Sequence, residues 1–330
     1  MDLPLLSALF IAFALSMYVL LDGFDLGVGA LLLLQSDKTL RDRMVDSITP
    51  TWDGNETWLV MAGVALLAGF PVAYGILLPA FYLPLILMLL GLGFRGVSFE
   101  FRYQIDRKRQ IWDVAFGAGS ILAALMQGLI VGGLLQGLVV SDNRFAGSVL
   151  DIFRPLPVLT ALAVLSGYIV LGAGWLQFKA SEKLHDFARR TLWIGTPVFV
   201  GLATVTCVAS ILIQPRVQDA WTAHTVMLWV IAAIFIAVGG ALIASIKRGP
   251  AIRPFLFGLI LFACDLLGLG IVIFPNIVPF QLSLWEAASA TSSQVFMLIG
   301  AAVVTPIVLA YSAFAYHVFH GRAPEQGWNS

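Results

Sequence analysis

The chain has 330 residues, of which 59% are hydrophobic and 12% are charged, and its mean hydropathy is +0.92. Soluble domains usually carry about a quarter charged residues, so this composition excludes an ordinary soluble domain and predicts an all-α, polytopic membrane protein. The 19 basic and 19 acidic residues give a formal net charge of zero, which argues against nucleic acid as a partner. The two cysteines, Cys207 and Cys264, fall in apolar segments without CxxC spacing, so they indicate neither a disulfide framework nor a thiolate metal site.

The first apolar segment carries two acids within the motif Asp22-Gly23-Phe24-Asp25. A carboxylate in hydrocarbon is costly, so it normally faces a protein interior or water and marks an ion or proton route. Asp22 and Asp25 are three residues apart and share one helix face. Small residues flank these acids and predict the close approach of a neighbouring helix: Gly23, Gly27 and Gly29. The pattern predicts a buried polar seam.

Apolar runs of bilayer length predict nine transmembrane helices. They lie at about residues 4–34, 57–74, 77–96, 114–137, 155–178, 191–213, 226–246, 254–274 and 294–319. Gly69-Phe70-Pro71 and Pro79 interrupt the second and third runs, which leaves one span and a re-entrant hairpin as an alternative there. No internal repeat is visible, so we expect a single integral membrane domain over 1–330. A polar insert at about 36–50 fits a short amphipathic helix on the cytoplasmic surface.

Basic residues predict the orientation of these spans, because cytoplasmic loops of membrane proteins are enriched in Lys and Arg. One set of helix ends carries Lys38, Arg41, Arg43, Arg95, Arg102, Arg107, Lys108, Arg109, Lys179, Lys183, Arg189, Arg190, Lys247, Arg248, Arg253 and Arg322. The other set carries only Arg144, Arg154 and Arg216. We therefore expect the N-terminus outside and the C-terminus in the cytoplasm.

A second polar motif, Trp52-Asp53-Gly54-Asn55-Glu56, begins the second predicted span. One interpretation is structural: Trp52 lies at the membrane interface, and Asp53 or Asn55 caps the helix. The other interpretation is that Asp53 and Glu56 join the two acids of the first helix at an entrance from the cytoplasm.

Two further charged residues lie inside predicted spans. Arg95 falls near the inner end of the third span, where its side chain either takes part in a site or extends to the interface. Asp265 lies near the middle of the eighth span, so it is either protonated or paired.

The four histidines lie in loops or at span ends, and no haem-attachment, dinucleotide or P-loop motif is present. We therefore predict no metal site.

Several motifs together resemble one family, subunit II of the cytochrome bd-type quinol oxidases, including their cyanide-insensitive branch. These motifs are Asp22-Gly23-Phe24-Asp25-Leu26-Gly27-Val28-Gly29, Trp52-Asp53-Gly54-Asn55, Phe94-Arg95, Trp285-Glu286-Ala287, Thr291-Ser292-Ser293-Gln294, and Pro306-Ile307-Val308-Leu309 with Tyr311. The resemblance implies two four-helix bundles and one peripheral helix. It also implies a bacterial inner-membrane heterodimer, in which the haem-bearing subunit I holds haems b and d and the quinol site.

The resemblance further implies that this chain is a haem-free, proton-conducting subunit of a respiratory quinol oxidase and binds no cofactor itself. The proton role would fall on Asp22, Asp25 and Asp53 beside Trp52, while Glu56 stands where some relatives have Gln. A structural quinone or lipid and small single-helix subunits are left open. From the residues alone, two alternatives remain: a proton-coupled secondary transporter, and a scaffold whose acids pair with basic residues of the partner.

Overall fold

The computed structural model describes residues 2–104, 109–179, 182–248 and 250–319, and these form an almost entirely helical protein. Its α-helices are α1 Leu3–Leu32, α2 Lys38–Asp46, α3 Trp52–Gly69, α4 Pro71–Ala80, α5 Tyr82–Gln104, α6 Arg109–Gln136, α7 Pro155–Lys179, α8 Glu182–Ile213, α9 Pro215–Ala223, α10 Thr225–Ser245, α11 Arg253–Ile273, α12 Leu284–Ala287 and α13 Thr291–Val318. Among the basic residues used to predict orientation, Arg107, Lys108 and Arg322 lie outside the described residues.

The connections hold the remaining regular structure. Two antiparallel hairpins pair β1 Val140–Ser141 with β2 Arg144–Phe145, and β3 Asn276–Val278 with β4 Leu282–Ser283. A 3₁₀ helix covers Val149–Phe153. These elements are short, so the fold depends on helix packing.

Local sequence explains several helix boundaries. Asp2 caps α1 by accepting a hydrogen bond from the Leu5 amide at 3.1 Å, which satisfies one of the free amides at a helix start. Asp37 caps α2 in the same way, and α2 falls within the predicted amphipathic segment. Proline at position 71 begins α4 and separates it from α3, because proline cannot donate the hydrogen bond that would continue a helix.

Eight helices of the described part are long and apolar enough to cross a membrane. The predicted span without a counterpart among these eight is the second, at about 57–74. It falls on α3, which has 18 residues and polar side chains in its first turns, and it runs past the end of α3 into α4. The two ends of α3 lie beside the two ends of α1: Asn55 bonds Asp25, and Gly69 lies next to Ser7. Helix α3 therefore runs antiparallel along α1 through the same layer rather than forming a re-entrant hairpin.

The long helices pack as two groups of four with one peripheral helix. Helices α1, α3, α5 and α6 form one group, α7, α8, α10 and α11 form the other, and α13 lies along α3 and α1. The groups meet where α7 packs against α6 and crosses α1. There a Cβ on Gly27 would overlap the Tyr168 carbonyl oxygen, and a Cβ on Gly172 would lie 2.5 Å from the Gly27 carbonyl carbon. The two backbones therefore touch, which only glycine permits.

Aromatic rings fill the interior next to this crossing. Phe24 stacks on Trp175 with ring centroids 4.5 Å apart, and Phe255 meets both rings edge-on at 5.4 Å. Trp52 stacks on Phe99 at 4.5 Å. This packing surrounds the C-terminal half of α1 and buries the two acids of that helix.

Candidate functional site

A cluster of charged side chains lies buried between α1, α3 and α5. The carboxylates of Asp22 and Asp25 and the guanidinium of Arg95 are fully buried. Arg95 Nη2 donates to Asp22 Oδ1 at 2.6 Å and also pairs with Glu56 Oε1. Asn55 Nδ2 donates to Asp25 Oδ2 at 2.7 Å. We call Asp22, Asp25, Asn55, Glu56 and Arg95 the carboxylate cluster.

Negative charge exceeds positive charge in the carboxylate cluster, since three carboxyl groups face one guanidinium. Hydrogen-bonding capacity is also left over: among the described residues, no partner reaches Asp22 Oδ2, Asp25 Oδ1, or Nε and Nη1 of Arg95. Unpaired charge in a low-dielectric interior is strongly disfavoured, and acids there normally neutralise by binding a proton. The carboxylate cluster therefore carries more acid groups than a balanced structural ion pair would need.

A chain of buried polar side chains continues from Asp22 toward the N-terminal end of α1. Tyr168 Oη on α7 donates to Gln127 Oε1 on α6 at 2.7 Å. Gln127 Nε2 in turn donates to Tyr18 Oη at 2.8 Å. Tyr18 lies one helical turn before Asp22 and shares its face of α1. Three helices are thus joined by one line of hydrogen bonds.

Another contact reaches the cluster from α13. Tyr316 Oη donates to Asn55 Oδ1 at 3.1 Å. The same tyrosine lines a small cavity that leaves about 10 Å³ for the centre of a water molecule, roughly the space for one water. Its lining residues are Ser47, Pro50, Thr51, Trp175, Lys179, Tyr316 and Phe319. Asn55 therefore connects Tyr316, and through it the wall of this cavity, to Asp25 by hydrogen bonds.

A second ionic network fastens α2 to the start of α6 and the end of α5. Arg102 donates to Asp113 and to Asp42, each at 2.6 Å. Arg41 pairs with the other oxygen of Asp113 at 2.9 Å, and Arg109 also pairs with Asp42. Because each acid of this network pairs with two arginines, the network holds α2 against α5 and α6.

The predicted site residues divide into those that meet and those that do not. Asp22, Asp25 and Glu56 lie together, as the two polar motifs suggested. Asp53 is exposed at the start of α3 and is not part of the cluster. Asp265 is exposed on the surface of α11, and no hydrogen bond or ion pair to it exists among the described residues.

Two structural interpretations of these motifs are wrong. Arg95 does not extend to the interface: its side chain is fully buried against Asp22, because an ion pair is available inside the bundle. Asn55 does not cap α3, since Thr51 occupies the cap position and the Asn55 amide is turned toward α1. Its second contact there is the Leu21 carbonyl oxygen, at 3.2 Å.

The glycines beside the acids lie where other helices approach. A Cβ on Gly23 would come within 2.5 Å of the Tyr168 ring, and one on Gly29 would overlap Ser120 of α6. Trp52, by contrast, is in the aromatic core against Phe99. Glycine is therefore needed at these positions because α6 and α7 lie too close to α1 to leave room for a side chain.

Sequence reasoning missed the neutral members of the site. Tyr18, Gln127, Tyr168 and Tyr316 were not singled out. A signal existed for two of them: Tyr18 precedes Asp22 by four residues and so shares its helix face, and Gln127 is an amide inside an apolar segment. The two other tyrosines gave no signal, because tyrosine is common in membrane helices.

These features define an integral membrane protein with a buried ionisable site, and comparison with known proteins gives the family. The chain belongs to the cytochrome bd terminal oxidase subunit II family, whose profile matches residues 3–319. Membership makes it a membrane subunit of a respiratory oxidase and implies a partner subunit.

Relatives of known description cover nearly the whole chain. Cytochrome bd-I ubiquinol oxidase subunit 2 of Escherichia coli is 31% identical over 98% of this chain and 94% of its own length. The probable cytochrome oxidase subunit 2 of Haemophilus influenzae is 31% identical over 91% and 90%. Cytochrome bd ubiquinol oxidase subunit 2 of Bacillus subtilis is 27% identical over 96% and 94%.

The fold also matches a solved structure. A chain of the bd oxidase from Geobacillus thermodenitrificans superposes with a TM-score of 0.78, covering 97% of this chain and 99% of that one. Only 15% of residues are identical, so this match supports the fold alone and says nothing of function.

Proposed function

We propose that this chain is the haem-free subunit of a quinol:oxygen oxidoreductase, supports the haem-bearing partner, and conducts cytoplasmic protons toward the site of oxygen reduction. Dioxygen accepts four electrons and four protons to give two waters, and two quinols supply the electrons as they become quinones. The observation that carries the proposal is the buried carboxylate cluster, which holds three acids and one guanidinium that pairs with two of them.

The histidines of the chain support placing the haems in the partner. Haem iron in such oxidases needs axial side-chain ligands, commonly His or Met. His185 lies in the first turns of α8, His224 lies between α9 and α10, and His317 is in the last turn of α13, while His320 lies outside the described residues. These histidines do not lie where they could hold haems in the interior of the membrane, so we assign haems b and d and the quinol site to the partner.

The geometry suggests a path for protons. Asp53 is exposed at the start of α3, and Glu56, one turn further on, keeps 24% of its side chain exposed. Glu56 therefore brings the edge of the cluster into contact with water. Arg95 joins it to Asp22, which shares a helix face with Asp25. With the N-terminus outside, this edge faces the cytoplasm, in agreement with the concentration of basic residues on that side.

The first experiment isolates this chain from native membranes under gentle conditions. We expect a second large membrane protein, a reduced-minus-oxidised haem spectrum and quinol-driven oxygen uptake in the same fraction. A stable, haem-free protein without such a partner would instead support a proton-coupled transporter.

The second experiment tests proton conduction in that complex. Asp22→Asn and Asp25→Asn should each slow oxygen uptake while the haem spectrum stays unchanged. Asp219→Asn is the matched control, because Asp219 is an exposed acid on α9. If the cluster variants assemble and turn over at the rate of the control, the acids serve only as scaffold.

A further inference from the structure

We propose that Asn55 determines which oxygen of Asp25 carries a proton: its amide occupies Oδ2, so that Oδ1 is the atom at which the proton is bound and released. Tyr316 of the peripheral helix α13 holds the amide in this orientation. Both are positioning residues, since neither carries the transferred proton. This inference rests on the proposed function and assigns its proton step to one atom.

The orientation of the Asn55 amide follows from its partners. An amide nitrogen can only donate hydrogen bonds, and an amide oxygen can only accept them. The backbone carbonyl oxygen of Leu21, at 3.2 Å, is an acceptor, so the nitrogen must face α1. The amide oxygen then faces Tyr316 Oη at 3.1 Å, and the tyrosine must donate. A reversed amide would place two acceptor oxygens against each other at Leu21, so only one orientation fits.

The same nitrogen also reaches Asp25. Asn55 Nδ2 donates to Asp25 Oδ2 at 2.7 Å, so its two hydrogens are used by Leu21 and Asp25. In a protonated carboxyl group the carbonyl oxygen is a better acceptor than the hydroxyl oxygen. Oδ2 is therefore the carbonyl oxygen of protonated Asp25, and the hydrogen belongs on Oδ1, which has no partner among the described residues.

The charges of the carboxylate cluster favour a proton on Asp25. Arg95 pairs with Asp22 and Glu56, whereas no ion pair to Asp25 exists within the described part of the chain. The side chain of Asp25 is fully buried. An unpaired anion is strongly disfavoured in such surroundings, so a proton bound at Oδ1 stabilises the protein.

Packing holds the amide in place. Asn55 is buried, and its backbone amide bonds the Thr51 carbonyl oxygen at 3.1 Å. The Tyr316 ring meets Trp175 edge-on with centroids 6.2 Å apart, and the indole nitrogen of Trp175 donates to the Ser47 carbonyl oxygen at 3.3 Å. Asn55 is thus the point at which α1, α3 and α13 are joined by hydrogen bonds.

This arrangement closes one approach to Asp25. Tyr316 lines the one-water cavity, and its hydroxyl leads through Asn55 to Asp25. An amide does not pass protons as a carboxyl group does, because it neither gains nor loses a proton near neutral pH. The path from the cavity therefore ends at Asn55, and Asp25 exchanges its proton at Oδ1.

Infrared difference spectroscopy on the assembled oxidase tests this assignment, because a protonated carboxyl group has its own C=O stretching band. That band lies at higher frequency when the carbonyl oxygen accepts no hydrogen bond. We expect a band in the unaltered oxidase that is lost in Asp25→Asn. In Asn55→Leu the band should remain and move to higher frequency, because Oδ2 loses its donor. A residue that only joins helices would leave this frequency unchanged.

A second variant removes only the tyrosine hydroxyl. Tyr316→Phe should move the band in the same direction by less, because hydrogen bonds in a chain strengthen one another and the Asn55 amide then donates more weakly. This variant provides the test if Asn55→Leu does not assemble, as judged by the haem spectrum. Tyr82→Phe is the control and should leave the band in place, because Tyr82 is 61% exposed on α5.

The outcomes separate this inference from the proposed function. If Asp25→Asn takes up oxygen at the rate of the Asp219→Asn control, the proposed function fails. If Asp25→Asn slows uptake but removes no band, the proton is not held by Asp25 and the inference is overturned. A band that keeps its frequency or moves lower in Asn55→Leu and Tyr316→Phe refutes the role of Asn55 and leaves the proposed function standing.

Discussion

Replacing Arg95 with glutamine should strongly destabilise this protein. The side chain is fully buried and bonds Asp22 at 2.6 Å, and it also pairs with Glu56, whose side chain is 24% exposed. Breaking a buried ion pair by removing one partner costs about 3–5 kcal/mol. Glu56 adds at most about 1 kcal/mol to this, because water screens a partly exposed pair. We therefore expect a loss of about 3–5 kcal/mol, nearly all of it caused by the isolated Asp22 carboxylate.

The assay is unfolding of the detergent-solubilised oxidase in increasing denaturant, with assembly followed by the haem spectrum. The double variant Asp22→Asn with Arg95→Gln is the matched control, since it removes both buried charges. It should recover most of the lost stability, because replacing both members of a buried pair is far less costly than replacing one. A double variant as unstable as the sum of the two single variants would refute the reasoning.

Three further predictions concern packing, the ionic network and a surface cap. Gly27→Ala should cost about 1–3 kcal/mol, because the new Cβ overlaps the backbone of α7. Gly93→Ala, with no atom within 4 Å of its Cβ, should be neutral or stabilising in the same unfolding assay. Asp113→Asn should cost about 2 kcal/mol by weakening the charge-assisted bonds that anchor α2, and proteolysis of the loop before α2 should become faster. Hydrogen bonds from Ser283 lower the pKa of Glu286, so the cap of α12 is intact at neutral pH and is lost as the pH falls through that lowered value. Amide exchange at the start of α12 should therefore accelerate in acid, and Glu286→Gln should remove the pH dependence.

Much of the fold follows from the sequence because the membrane restricts which secondary structures the chain can adopt. A bilayer-length apolar run has to be a helix there, since backbone groups in lipid must bond internally. The break between α3 and α4 was visible as Phe70-Pro71. The polar first turns of α3 lower its hydropathy, and its course along α1 became clear only from the contacts of Asn55 and Gly69.

The sequence predicted the acids of the site but not their partners, and this difference has a physical reason. Acids in apolar segments are conspicuous because each one is costly, so Asp22 and Asp25 could be found from one helix alone. The partners of these acids could not, since they come from helices distant in sequence. Asp53 and Asp265 show the limit of the argument, because an acid near a cluster in sequence or in the middle of a span can still lie on the surface.

Proton uptake during a single oxygen pulse tests the central claim most directly. The measurement uses the reduced, assembled oxidase in closed vesicles and records pH changes on the side facing Glu56, with unaltered protein, Asp25→Asn and the Asp219→Asn control. The account predicts that proton uptake in Asp25→Asn is at least about tenfold slower, a change of about 1.4 kcal/mol in the barrier, with an unchanged haem spectrum. Uptake at the same rate in all three proteins would show that protons reach the oxygen site without this cluster.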